Sequence, residues 1–232
     1  MKIILRLSIL LTVCLSETIY ASGMDEIVIT GSRLSDDYEV MPAVTIKRKA
    51  DYLVQRIRLI NDSRSPALRK TEIIQTIDNI LKASKNIKGI ELSYGDGFLV
   101  PVNLNDNSLQ LIEDRKRVDT SHVDIFVKVA LNEKISPKKQ IAELRAFIAR
   151  TKLVSRTEIE ALGDIGLSIV GPEQYRYEIL QNITTENNKI KNIVGGSCEI
   201  TVSGLEGRVQ WDRTDITELT LYISYATEVT CK

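Results

Sequence analysis

The stretch from His122 to Ala130 places Val123, Ile125, Val127 and Val129 at every second position, so an extended chain puts all four on one face. A strand that is apolar on one side needs cover. A matching element lies upstream. Ser65 and Pro66 suit the cap and first turn of a helix, and Ile73, Ile74, Ile77, Ile80 and Leu81 recur at the spacing of one helical face, with a stop expected at Lys88-Gly89. Two one-faced elements bury each other's apolar sides only in a layered body of sheet and helix.

The rest of the chain repeats this alternation. Residues 26–31 read as a short strand and 32–38 as a polar loop. Residues 40–60 read as one or two strands with a bend near Lys47-Arg48-Lys49. Short strands are expected at 90–94, 98–102 and 108–112, with turns at Gly95-Asp96-Gly97 and Asn103 to Asn107. Ser136 and Pro137 open a second helix with Ile141, Leu144, Phe147 and Ile148 on its apolar stripe. Residues 156–162 read as a short helical or turn segment and 166–170 as a strand. Pro172 opens a third helix carrying Tyr175, Ile179, Ile183 and Ile190, which Gly195-Gly196 ends. The order predicts an α+β fold of antiparallel sheets with about three helices packed on them. Residues 22–232 form this region, with a division into subdomains at about 25–118 and 119–232 left open.

Residues 1–21 have the form of a secretory signal peptide: Lys2 and Arg6, an apolar run from Leu7 to Leu15, and Ala21 at a cleavage position. The run is too short for a membrane span, and no other stretch is long and apolar enough to be one. Leu11-Thr12-Val13-Cys14 is a distant version of a lipidation signal, with Val13 where a small residue is wanted. Removal of the leader leaves Cys198 and Cys231, an even pair in an exported chain and so a disulfide candidate. The tail, 198–211 and 218–231, reads as one long C-terminal β-hairpin. With its turn between Thr214 and Asp215, Cys198 falls opposite Cys231, and at a non-hydrogen-bonded pair a disulfide fits. Gly204 to Gly207 is the place where a bulge would shift the register by one.

The chemistry is sparse. His122 is the only histidine and shares a strand face with Asp124 and Lys128. It reads as a surface residue on a partly solvated strand rather than a base oriented by Asp124. No catalytic, cofactor-binding or metal-binding set is expected. One histidine and two paired cysteines cannot supply a zinc site, Asp96 and Asn103 to Asn107 read as turn formers, and the glycine pairs lack phosphate-loop spacing. The 31 basic and 31 acidic residues balance, and the basic groups Lys47-Arg48-Lys49 and Arg115-Lys116-Arg117 are not interleaved with aromatics. Nucleic-acid binding is not expected.

Three features resemble the SIMPL family of exported bacterial proteins. They are the opening Ile27-Val-Ile-Thr-Gly31, the Ala50-Asp51-Tyr52 entry to a long strand followed by Asn61 and the helix from Pro66, and the later order strand, helix, strand, helix, closing strand ending at Tyr225 to Val229. The resemblance implies helices on antiparallel sheet and a periplasmic or outer-membrane-associated location; some members assemble into oligomers, and no general enzymatic activity follows from it. Asp25 to Arg33 also resembles the start of a TonB-dependent receptor plug, for which the chain is too short to add the barrel. The expectation is therefore a non-enzymatic cell-envelope protein that works through protein partners, self-association or other envelope contacts. The alternatives are a periplasmic hydrolase with dispersed carboxylates and a small-ligand carrier.

Overall fold

A computed structural model of the chain describes residues 26–29, 41–105, 109–195 and 197–232. The leader with Cys14, the loop at 32–38, part of Asn103 to Asn107, and Gly196 lie outside these residues. The strands are β1 (Glu26–Ile29), β2 (Ile46–Lys49), β3 (Tyr52–Asn61), β4 (Ile90–Tyr94), β5 (Phe98–Pro101), β6 (Ile112–Glu113), β7 (Ser121–Ala130), β8 (Thr157–Val170), β9 (Cys198–Ser203), β10 (Gln210–Arg213), β11 (Glu218–Tyr222) and β12 (Ala226–Cys231). The helices are α1 (Pro66–Ser84), α2 (Pro137–Ala149) and α3 (Arg176–Val194), the last entered through a 3-10 turn at Pro172–Tyr175.

The molecule is mixed α+β, and every strand pairing is antiparallel. Six strands follow one another in the order β3-β8-β1-β5-β4-β7, and β7 pairs back onto β3, so the sheet closes into a barrel. Its strands come from both sides of residue 118. Closure gives every residue of β3 and β7 either an inside or an outside position. Outside lie Leu53, Ile57, Leu59, Val123, Ile125 and Val127, all at most 4% exposed, and they form one core with Ile73, Ile77 and Ile80 of α1 and Leu144 of α2. This is the union of one-faced strand and one-faced helix that the sequence requires. Each such side chain contributes about 1.5–3 kcal/mol on burial.

Several boundaries differ from the sequence reading. Ser65 and Ser136 occupy the N-cap positions with extended backbone, and each is followed by proline, but neither hydroxyl makes a capping bond. Helix α1 stops at Ser84 rather than at Lys88. Asn86 and Ile87 bond back three residues to Ala83 and Ser84, which tightens the last turn into Gly89 at φ 87°. The strand expected at 108–112 is only β6, beginning at Ile112. Residues 156–162 are not helical or a turn but mostly the first half of the 14-residue β8. Thr157 to Leu162 pair in register with Asn61 to Arg56, and tertiary pairing overrides a weak local preference. Beyond a bulge, the Gln55 amide donates to the carbonyls of Leu162 and Gly163.

The tail is not one continuous hairpin. Strands β9 and β12 form a separate two-stranded ribbon with Cys198 opposite Cys231, as the outer register requires. The inner strands β10 and β11 join β2 in a three-stranded sheet with Trp211 opposite Leu221, not Glu218, a shift of three rather than one. A tight turn with a Gly207 N–H to Gly204 carbonyl bond absorbs the extra residues. The Arg176 guanidinium donates to the Leu205 and Gly207 carbonyls, tying that turn to α3. Among the described residues no helix is long and apolar enough to cross a membrane.

Candidate functional site

The barrel interior is polar at both ends and apolar between. At one end, Lys128 of β7 is 2% exposed. Its Nζ lies 2.5 Å from Glu26 Oε2 of β1 and 3.3 Å from Glu91 Oε2 of β4, and 4.1 Å from the ring centroid of Tyr52 on β3. Tyr52 donates its hydroxyl to Glu91 Oε1 at 3.1 Å, and Ser168 of β8 donates to Glu26 Oε1 at 2.7 Å. Lys128 and four residues from four other barrel strands thus form one connected polar cluster around its ammonium. Burial first, then the charge of Glu91, pushes the Tyr52 phenol up to about 12, so it stays protonated and keeps donating. Beyond Tyr52 lies a shallow depression lined by Asp51, Tyr52, Ala130, Val170 and Gln174. Asp51 and Gln174 are both committed there, to the Val170 N–H and carbonyl.

In the middle, Val54, Leu99 and Phe126 are buried against one another with Val28 and Tyr52 packed on them. At the other end, Asp124 takes bonds from Arg56 Nη2 (2.5 Å), Arg58 Nε (2.7 Å) and Arg58 Nη2 (2.9 Å). Burial alone would raise the Asp124 carboxyl, but the hydrogen bonds and charges of the two arginines outweigh it and hold it below the usual range. Glu72 of α1 is held low as well, by bonds from the Asn61 amide and the Ser63 hydroxyl.

A carboxylate whose folded value is depressed stabilises fully above its unfolded value, near 4, and loses that contribution as pH falls through the folded value. The midpoint of urea unfolding is therefore expected to hold steady between pH 7 and about pH 5, then to fall below about pH 4. Asp124→Asn should flatten part of that fall. An unchanged pH profile in this variant would remove Asp124 as a cause.

The strand face that His122 shares with Asp124 and Lys128 is the inside of the barrel, at an end that stays partly open to solvent, where the Arg56 and Arg58 side chains are 43% and 32% exposed. His122 is half-buried opposite Ile60 and Ile112. The Asp124 oxygens serve Arg56 and Arg58, and no bond joins them to His122 among the described residues, so the carboxylate does not orient the imidazole. Sequence pattern alone assigns no site role to Glu26, Tyr52, Glu91 or Ser168. The available signal was a lysine between Val127 and Val129 in a strongly apolar strand.

Two buried polar atoms, Ser93 Oγ and Arg56 Nε, have no hydrogen-bond partner among the described residues. Ser93 sits opposite Phe126, facing the apolar middle. An unmade bond there costs about 1–3 kcal/mol, so Ser93→Ala should leave stability unchanged or raise it by up to about 1 kcal/mol in urea unfolding. A loss larger than that would show that the hydroxyl is bonded.

The first basic run is partly neutralised, as Arg48 pairs with Glu178 and Lys49 lies 2.5 Å from Glu133; beside the second, Asp114 accepts the backbone N–H groups of Lys116 and Arg117 in a local turn. Asn103 Oδ1 accepts the Asn105 N–H in a local turn. Among the described residues no group of His, Cys, Asp and Glu is arranged to hold a metal ion.

The tail carries the second feature of interest. Cys198 and Cys231 are joined, with Cα atoms 4.0 Å apart. The Lys232 N–H bonds the Ser197 carbonyl and the Cys198 N–H turns away to Gly195, so the bridge sits at a non-hydrogen-bonded pair. Comparison with protein-family models and with curated proteins finds no match to this chain.

Proposed function

We propose that this chain is an exported, SIMPL-like cell-envelope protein, periplasmic or outer-membrane associated, that catalyses no reaction and works through contacts with other protein chains. The observation that carries the reading is the Cys198–Cys231 bridge. Structural disulfides persist in oxidising compartments and are rare in the cytosol, which agrees with the leader-like residues 1–21. Helices packed on antiparallel sheet agree with the family resemblance. The interior polar groups support a structural role, since Lys128 and Ser168 both donate to Glu26 and Tyr52 donates to Glu91.

The test is site-specific photo-crosslinking in cells, with the reactive residue placed at exposed positions such as Tyr177, Val118 and Ile193, which are 77%, 80% and 84% exposed. Discrete crosslinked envelope partners, or crosslinks between copies, are expected. Absence of every adduct, together with a strict monomer after purification, would overturn the reading.

The alternative of a hydrolase with dispersed carboxylates draws on the approach of Glu26 and Glu91 to Lys128. Glu91→Gln separates the two readings. A hydrolase would lose turnover, whereas the contact reading expects the crosslinking pattern to survive.

A further inference from the structure

We infer that the outer edge of β12 is a self-association surface, on which β12 of a second copy pairs antiparallel to give a four-stranded sheet, β9-β12-β12-β9. The inference deepens the contact-making reading above and rests on it. The parity of the ribbon fixes which groups are on offer. The pair of Ser197 with Lys232 is hydrogen-bonded and Cys198 with Cys231 is not, so alternation along the ladder makes Ala226, Glu228 and Thr230 bond inward to β9. Thr227, Val229 and Cys231 then point their N–H and carbonyl groups outward. Among the described residues nothing pairs with that edge.

The edge has no proline, three of its six residues are Thr or Val, its one charged residue is Glu228, and the disulfide holds its last pair in register. Val229, 39% exposed, is the central outward position.

One register suits two copies best. With Val229 opposite the second copy's Val229 on the two-fold axis, Thr227 faces Cys231 and the ladder runs the full length of β12. Glu228 then faces Thr230 rather than another glutamate. Its two diagonal neighbours are the second copy's Lys232 and Glu228, so two lysines offset two glutamates across the junction. Moving the axis onto Glu228 would set the glutamates face to face. Moving it to Thr230 would shorten the ladder.

The experiment is light scattering coupled to size-exclusion chromatography on the oxidised mature protein, over a dilution series into the high micromolar range. A dimer is expected for the natural sequence. Val229→Pro removes an N–H that points outward and leaves the bonds to β9 intact, and it should weaken the dimer by roughly tenfold or more. Glu228→Lys, at an exposed side chain, places four lysines at the junction and should also weaken it. The charge exchange Glu228→Lys with Lys232→Glu should restore it. Should Val229→Pro fail to fold, the two charge variants decide alone. A monomer throughout the series, or a dimer that these variants leave unchanged, would overturn the inference. Specific envelope crosslinks in that same case would leave the contact-making reading standing with a different surface.

Discussion

Replacing Lys128 by alanine is expected to destabilise the protein by about 3–5 kcal/mol, the range for breaking a buried ion pair from one side. The loss has two parts. The Glu26 carboxylate, whose side chain is 10% exposed, would remain inside the barrel with only the Ser168 hydroxyl, and the lysine stem would leave a hole under the Tyr52 ring. For a chain of this size that corresponds to a fall in Tm on the order of 10 °C.

The companion variants separate the parts. Lys128→Met fills the hole but still strands Glu26, so it should remain clearly destabilised. Glu26→Gln with Lys128→Met removes both charges and should recover to within about 1.5 kcal/mol of the natural protein, as apolar or neutral replacements of buried pairs often do. A Lys128→Ala variant that unfolds at the same urea concentration as the natural protein would show that the five-strand ring contributes nothing to closure.

Loss of the disulfide should act in a different place. Six of the seven residues from Ala226 to Lys232 are exposed, and among the described residues the single side-chain bond outside the ladder runs from the Thr227 hydroxyl to Asn187 of α3. A two-stranded ribbon is marginal by itself. The bridge closes a loop of 33 residues, worth about 3–4 kcal/mol in the chain-entropy account. In a Cys198→Ala, Cys231→Ala variant, amide exchange in β9 and β12 should therefore accelerate by roughly 100-fold or more. Amides of α1, β3 and β7, which belong to the main core, should change far less, and Tm should fall by less than the full entropy figure implies. Equal acceleration throughout the chain would mean that the ribbon unfolds only with the barrel.

How much of this was legible in the sequence depended on whether a residue's environment was local. The valine alternation in β7 and the isoleucine stripe of α1 each report one buried face, and both faces were recovered. The cysteine pairing was recovered because the outer ladder keeps a single register.

The first half of β8 was missed because Glu158 and Glu160 point to solvent while Thr157 and Ile159 are held by β3, a strand about 100 residues earlier. Barrel closure was missed for a related reason. A sheet position filled by His, Asp or Lys looks solvated whether it faces water or a ring of partners, and only the return of β7 onto β3 distinguishes the two. The three-residue shift in the tail depended on Arg176 and on the pairing of β11 with β2, neither visible in the spacing of the cysteines.

The most direct test of the account is the intact mass and disulfide map of the protein recovered, with thiols trapped at lysis, from separated envelope and cytosolic fractions. The account predicts an envelope species that begins near residue 22 and yields a Cys198–Cys231 linked peptide. A cytosolic species that retains residues 1–21 and has both thiols free would contradict it.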